Sequence, residues 1–124
     1  MSNTPPHLQY AKSDEWFDES TGQVGISDFA QGQLSDIVFL DINVSVGIMI
    51  EAGSAIASVE SVKAASDVLT PSSGKVIAIN QALTSSPETI NSDPYGSWFI
   101  QLEGGVAVGL LDSAAYESYC AERH

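Results

Sequence analysis

Short β-forming runs divided by turn residues constrain the fold of this chain more than any other feature. Apolar and polar residues alternate from Val38 to Ser45 and from Trp98 to Glu103, which is the period of a strand covered on one face. Shorter β-rich runs fill much of the remaining sequence: Val24 to Ile26, Ile48 to Ile50, Ala55 to Val62 and Val76 to Ile79. Turn signals divide these runs: Val46-Gly47, Ala52-Gly53, Pro71-Ser72-Ser73-Gly74 and Asp93-Pro94-Tyr95-Gly96. No long helical pattern falls between them, so the sequence predicts an all-β sandwich or barrel rather than βαβ units.

Helical signals are confined to short segments. Ser27 is typical of the N-cap of a helix that ends at Leu34, and Ser86 followed by Pro87 resembles another helix start. Asp112 is typical of the cap of a C-terminal helix over about residues 112–122. We expect residues 1–9 to be extended, and we expect residues 1–124 to form one compact domain that buries a core without disulfides or metal.

The charge balance excludes several classes of partner. The chain has 16 Asp and Glu residues but 4 Lys and Arg residues, which gives a formal net charge of -12. Such a surface repels phosphate backbones and anionic head groups, so we expect no nucleic-acid partner, no membrane partner, and docking to proteins with basic faces. No apolar run approaches the ~18 residues that span a bilayer. Cys120 is the single cysteine, so no internal disulfide forms and an intracellular location is indicated.

The signatures of common active sites are missing. His7 and His124 stand at opposite ends of the chain, and neither has the spacing of a metal ligand with a cysteine or a second histidine. The sequence contains no G-x-S-x-G elbow, no Walker A loop and no G-x-G-x-x-G stretch. The scattered carboxylates are typical of a solvated acidic surface. We therefore expect no metal and no catalytic site.

Lys63 is the only Lys or Arg between Ser13 and Gly74, and it lies in a predicted hairpin end. One strand leads into it through Val59-Glu60 and another leads away through Val68-Leu69, so the segment from Ser61 to Asp67 predicts a bend with its amine in solvent. A lysine in such a turn is commonly no more than a hydrated surface residue. It is also the standard side chain that combines a long stem with a nucleophilic terminal nitrogen, as a swinging arm requires.

The sequence around Lys63 resembles the hairpin frame of lipoyl-bearing domains, which is made by Val46-Gly47, Ala52-Gly53, Val59-Glu60, Lys63-Ala64, Pro71 and Gly74-Lys75-Val76. Further motifs resemble, in the same order, those of the glycine cleavage system H protein family: Asp14-Glu15-Trp16, Val24-Gly25-Ile26-Ser27-Asp28-Phe29-Ala30-Gln31, Leu34-Ser35-Asp36-Ile37-Val38-Phe39, Glu60-Ser61-Val62-Lys63-Ala64-Ala65-Ser66-Asp67 and Asn91-Ser92-Asp93-Pro94-Tyr95-Gly96. Family members usually have His before the Glu-Trp pair, where this chain has Asp14.

The resemblance implies a fold and a function. The fold is a barrel-sandwich hybrid of two small antiparallel sheets with short peripheral helices and a C-terminal helix. The function is that of a monomeric, non-catalytic carrier with lipoate bound covalently to Lys63. It would take an aminomethyl group from glycine decarboxylase (P protein) to aminomethyltransferase (T protein), and electrons to dihydrolipoamide dehydrogenase (L protein). A lipoate ligase or a lipoyl/octanoyl transferase would attach the arm, in the bacterial cytoplasm or in the mitochondrial matrix for a mature eukaryotic form.

The resemblance also implies roles for residues around the arm. Those that the modifying enzyme would recognise in the hairpin are Glu60, Ser61, Val62 and Ala64. Those that would line a cleft for the loaded arm are Ser13, Glu15 and Asp67. A carboxylate near an ammonium group is chemically favourable.

Three alternatives stay open. The chain could be a similar lipoate-relay carrier that does not work in glycine cleavage, or an unmodified structural or interaction protein. A biotin carrier shares the fold and the modified lysine, but such carriers normally have Met on both sides of the lysine, where this chain has Val62 and Ala64.

Overall fold

The computed structural model describes residues 4–105, 107 and 109–123. Along these residues the secondary-structure elements are β1 Gln9–Tyr10, β2 Glu15–Asp18, β3 Gln23–Ile26, α1 Asp28–Leu34, β4 Ile37–Ile42, β5 Met49–Ile50, β6 Ala55–Ser61, β7 Ala65–Leu69, β8 Gly74–Ile79, α2 Gln81–Ser85, α3 Thr89–Ser92, β9 Ile100–Glu103 and α4 Ser113–Ala121. The prediction of a mostly β fold with short helices and a C-terminal helix is confirmed.

Two antiparallel sheets form the body of the molecule. The larger has the strand order β1-β2-β3-β9-β8-β5, and the smaller has the order β4-β6-β7. Neither closes into a barrel within the described ranges. The main apolar core lies between the sheets, since its buried members come from strands of both, including Val24, Val76 and Ile100 from the larger and Leu40, Val59 and Val68 from the smaller. The predicted pair of antiparallel sheets is therefore confirmed.

A second apolar cluster attaches the C-terminal helix to the larger sheet. Its buried members are Leu8, Tyr10, Trp16, Phe29, Tyr116 and Cys120. The rings of Tyr10 and Tyr116 stack with their centroids 4.6 Å apart, a favourable arrangement for aromatic pairs. This cluster fixes the end of α4 beside the turn that joins β1 to β2.

The alternation in β4 is interrupted by a bulge that the sequence does not reveal. The pairing of β4 with β6 slips between Ile37 and Phe39. The extra residue in the bulged strand shifts the face that each side chain occupies. Val38, expected on the covered face, is 59% exposed, whereas Ile37 and Leu40 are buried.

Two predicted helix caps are confirmed and one is wrong. The Ser27 hydroxyl accepts a hydrogen bond from Ala30 N at the start of α1, and Asp112 accepts one from Ala115 N at the start of α4. Ser86 is instead the C-cap of α2 and donates its amide to the carbonyl of Leu83. Because this amide ends the preceding helix, α3 begins later, at Thr89.

The N-terminal segment is not extended throughout. Residues 1–3 lie outside the described part of the chain. From Pro5 to Leu8 the chain makes a turn, closed by the amide of Leu8 donating to the carbonyl of Pro5 at 3.3 Å. The turn lets the Leu8 side chain enter the second cluster, and the Tyr10 hydroxyl also donates to the Pro5 carbonyl, at 2.7 Å.

Within the described residues, none of the helices has the length and apolar character needed to cross a bilayer. The same part of the chain contains no group of three or more His, Cys, Asp or Glu side chains that could hold a metal ion. His124, one of the two histidines considered above, lies outside the described residues.

Candidate functional site

The β6–β7 hairpin places Lys63 at the tip of a tight bend. The two strands pair up to Glu60 and Ala65, which leaves Ser61 to Ala64 to reverse the chain. Ser61 closes the bend by donating its amide to the carbonyl of Ala64 at 2.8 Å. Its hydroxyl oxygen accepts the amides of Lys63 and Ala64, each at 3.1 Å. A single serine side chain therefore satisfies two tip amides and fixes the shape of the bend.

The neighbouring strand supports the same bend from the other side. Val62 donates its amide to the carbonyl of Asp36 at 3.0 Å, and Ile37 pairs with Ser61. The Lys63 side chain is exposed, so its amine is presented to solvent on a backbone that is held by hydrogen bonds. The structure thus gives Lys63 the position that the sequence predicts.

The four residues predicted for enzyme recognition all lie at this end of the hairpin. Glu60, Val62 and Ala64 are exposed, and Val62 is 67% exposed. Ser61 is half-buried and uses its hydroxyl inside the turn. Three of the four are therefore accessible to a partner, whereas Ser61 acts on the shape of the bend.

The three residues predicted for the arm cleft come together in space. Ser13, Glu15 and Asp67 line one cleft of about 270 Å³. Its walls are the turn before β2, the end of β3, the helix α1 and the hairpin strands, and these contribute the apolar side chains Ile26, Ala30, Leu34, Val59 and Val68. The lining therefore combines carboxyl and hydroxyl groups with apolar side chains, which suits a hydrocarbon arm with a polar end.

The cleft begins close to the lysine along the hairpin. Ser66 and Asp67 follow Lys63 by three and four residues on β7, and both line the cleft. At a rise of ~3.3 Å per residue, Asp67 lies within about 13 Å of Lys63 along the strand. A long acyl chain on Lys63 can therefore fold back along β7 and place its end in the cleft.

Glu15 is the most perturbed acid of the cleft. It is 2% exposed, its Oε1 accepts the hydroxyl of Ser13, and its Oε2 accepts the amide of Leu69 at 3.0 Å. Burial raises the pKa of Glu15 to about 7, the charge of Asp14 adds to this, and the two hydrogen bonds oppose it. This carboxyl group therefore titrates near neutral pH, and a cation that enters the cleft would favour its charged form.

Two charged residues of the cleft were not predicted from the sequence. Asp14 and Arg123 line it, and Arg123 holds the carboxylate of Asp14 through both nitrogens at 2.8 and 2.7 Å. The sequence offered a weak signal for each, because Asp14 replaces the customary His and Arg123 is the only arginine in a chain poor in cations. Their separation of 109 positions hid the contact.

Comparison with known proteins agrees with this architecture. The family model described as "Glycine cleavage H-protein" matches residues 8–122. A glycine cleavage system H protein of Deinococcus radiodurans is 47% identical over 119 residues, covering 95% of this chain and 98% of that protein. One from Burkholderia vietnamiensis is 48% identical over 122 residues, covering 94% and 96%.

A solved structure shows the same fold. The crystal structure of a glycine cleavage system H protein from Mycobacterium marinum is similar to this chain with a TM-score of 0.84 and 31% sequence identity. The similarity covers 96% of this chain and 98% of that one.

Proposed function

Because the chain belongs to the glycine cleavage H-protein family, we propose that it is the lipoyl-bearing carrier of the glycine cleavage system, with its arm on Lys63. The observation that supports this most is the exposed lysine at the tip of a hydrogen-bonded bend, with a partly apolar cleft beginning beside it on β7. When bound, lipoate supplies a dithiolane that accepts the aminomethyl group and electrons from glycine. The chain itself catalyses no step.

The residues at the hairpin tip fit covalent attachment of lipoate. The amide bond requires a free lysine Nζ and access for the modifying enzyme. Lys63 and the small residues after it, Ala64 and Ala65, are exposed. An ammonium group is not nucleophilic, so the enzyme must remove a proton from it before Nζ attacks the activated carboxyl group. Acylation then removes one positive charge from an already acidic protein.

The surface beside the tip supports docking of that modifying enzyme. Val62 projects from the bend, and the bulge in β4 turns Val38 and Phe39 outward, 59% and 48% exposed. Phe39 pairs with the exposed Glu60. An enzyme that acts on Nζ must contact the tip itself, so an apolar patch with a carboxylate rim favours a lipoate ligase or lipoyl/octanoyl transferase with a basic face.

The cleft fits the polar end of a loaded arm. The carboxyl groups of Glu15 and Asp67 provide acceptors for an ammonium group, and Ser13 holds Glu15 in place. The apolar side chains of the lining would exclude water from the stem of the arm. Ser13, Glu15 and Asp67 would thus retain the cargo until the next enzyme withdraws it.

The partners follow from the family and from the charge. We propose docking to glycine decarboxylase, aminomethyltransferase and dihydrolipoamide dehydrogenase through basic faces, because the net charge of -12 favours them. The protein would act as a monomer that each enzyme visits in turn. The relatives named above are bacterial, which favours the cytoplasm over the mitochondrial matrix.

Reconstitution tests this function. Lipoylated protein is incubated with glycine decarboxylase and glycine, and the intact mass is followed with time. We expect a glycine-dependent mass increase that Lys63→Ala abolishes and Lys75→Ala, a matched change of an exposed lysine on β8, preserves. Lipoylation without glycine-dependent loading would instead indicate the lipoate-relay carrier.

A further inference from the structure

We propose that the ion pair between Asp14 and Arg123 sets the charge of the arm cleft. Arg123 is a positioning residue, because Asp14 holds its guanidinium away from the other acids of the cleft. The carboxyl groups of Glu15 and Asp67 therefore stay available to a cationic cargo. This inference rests on the proposed carrier function for the identity of the cargo. The pairing itself is a property of the chain without its arm.

The backbone at Asp14 is bent in a way that needs support. Its φ is 81°, in the left-handed region that residues with a Cβ rarely adopt. Its amide donates to the carbonyl of Ala11 and its carbonyl accepts the amide of Ser27, both at 2.9 Å. This conformation places Ser13 and Glu15, the residues on either side, on the cleft.

Side chains from the C-terminal segment complete the support. Asp14 Oδ1 accepts the Tyr116 hydroxyl at 2.8 Å in addition to its two bonds with Arg123. Arg123 Cζ lies 4.3 Å from the ring centroid of Phe29 and 4.7 Å from that of Tyr119. The guanidinium is therefore fixed in direction by two aromatic faces and one carboxylate.

The Asp14–Arg123 pair determines which charged side chains of the cleft can bind a cationic cargo. The charged residues that line it are Asp14, Glu15, Asp67 and Arg123, whereas α1 contributes uncharged residues and β3 contributes Ile26. Lys12, in the same turn, directs its amine over the Tyr119 ring instead, 5.6 Å from the centroid. A guanidinium released from Asp14 would compete with an ammonium group for Glu15 and Asp67. Held by Asp14, it leaves both carboxyl groups to the cargo.

Two substitutions separate this electrostatic role from a purely structural one: Asp14→Asn, which is nearly isosteric, and Arg123→Gln, which keeps a polar but shorter and uncharged side chain. Asp14→Asn removes an acid beside Glu15 and leaves the guanidinium charge without its carboxylate, so the pKa of Glu15 falls. Arg123→Gln leaves the charge of Asp14 uncancelled, so the pKa of Glu15 rises. Both directions are measured on the carboxyl carbon of Glu15 by NMR titration of the lipoate-free protein, with circular dichroism to confirm the fold. Shifts in the same direction, or no shift in either variant, would overturn the proposal.

A second measurement addresses the cargo. On the loaded arm we expect Asp14→Asn to speed loss of the amine severalfold, because the free guanidinium occupies the carboxyl groups. The double variant Asp14→Asn/Arg123→Gln carries no free cation there, so it recovers most of the wild-type lifetime. A double variant as fast as Asp14→Asn alone would refute the electrostatic role. If the pKa of Glu15 shifts in opposite directions in the two single variants but the rate of amine loss does not change, the charge pairing stands. The cleft would then be rejected as the place where the cargo binds.

Discussion

Replacing Glu15 with Gln should make the protein more stable at pH 8 and change it little near pH 4.5. The carboxyl group is 2% exposed, and burial raises its pKa from the ordinary value of 4.5 to about 7. Gln keeps the oxygen that accepts the Leu69 amide, and its amide group can donate to Ser13. The substitution thus removes the ionisation and keeps the local hydrogen bonds.

The sign and the size of this change in the free energy of unfolding follow from proton linkage. Between pH 4.5 and 7 the folded state keeps a proton on Glu15 that the unfolded state has lost, so the stability due to this group falls as pH rises and is level above pH 7. The shift of about 2.5 units, at 1.36 kcal/mol per unit, corresponds to about 3 kcal/mol. We expect Glu15→Gln to raise the free energy of unfolding at pH 8 by up to that amount.

Urea unfolding of wild type and variant from pH 4.5 to 8 measures the difference. Glu60→Gln, on the exposed end of β6, controls for the loss of one formal charge from an acidic chain. We expect the charged form of this buried carboxyl group to destabilise the fold. This expectation would be refuted if Glu15→Gln raised the free energy of unfolding by the same amount at every pH, or lowered it increasingly towards pH 8.

Two further predictions concern the hairpin and the core. Ser61→Ala removes the acceptor of two exposed tip amides, which water can then solvate, so we expect a loss of about 0.5–1.5 kcal/mol in unfolding free energy and a slower rate of Lys63 lipoylation. Unchanged lipoylation kinetics would show that the bend needs no such support. Gly25→Ala would place a Cβ 2.7 Å from the Trp16 ring, so we expect a loss of about 1–3 kcal/mol by thermal unfolding. Gly32→Ala is its matched control in α1, where a Cβ meets nothing within 4 Å, and should stabilise by up to about 1 kcal/mol; equal effects of the two changes would contradict the packing at Gly25.

The parts of the fold that depend on local sequence were predictable. The bend at Lys63 follows from two strands with small and polar residues between them, and the caps Ser27 and Asp112 act on amides three residues away. In each case the chemistry that decides the structure lies within a few positions. The bulge at Val38 was not predictable, because it depends on the register with β6 rather than on β4 alone.

The cleft was predictable in part, and for a different reason. Ser13, Glu15 and Asp67 were expected through resemblance to a family, and the structure brings them together. Arg123 was missed because its position depends on how α4 packs through Tyr116 against Tyr10. A contact between the two ends of a chain is decided by tertiary packing, which no local pattern specifies.

The central claim is that the amine of Lys63 is the attachment point of a carrier arm. Incubation with a lipoate ligase, followed by intact mass and peptide mapping, tests it most directly, since the chain offers three lysines, Lys12, Lys63 and Lys75. We predict one lipoyl group per chain, found on Lys63 and absent from Lys63→Ala. A lipoyl group on Lys12 or Lys75, or an unmodified wild-type protein, would contradict the account.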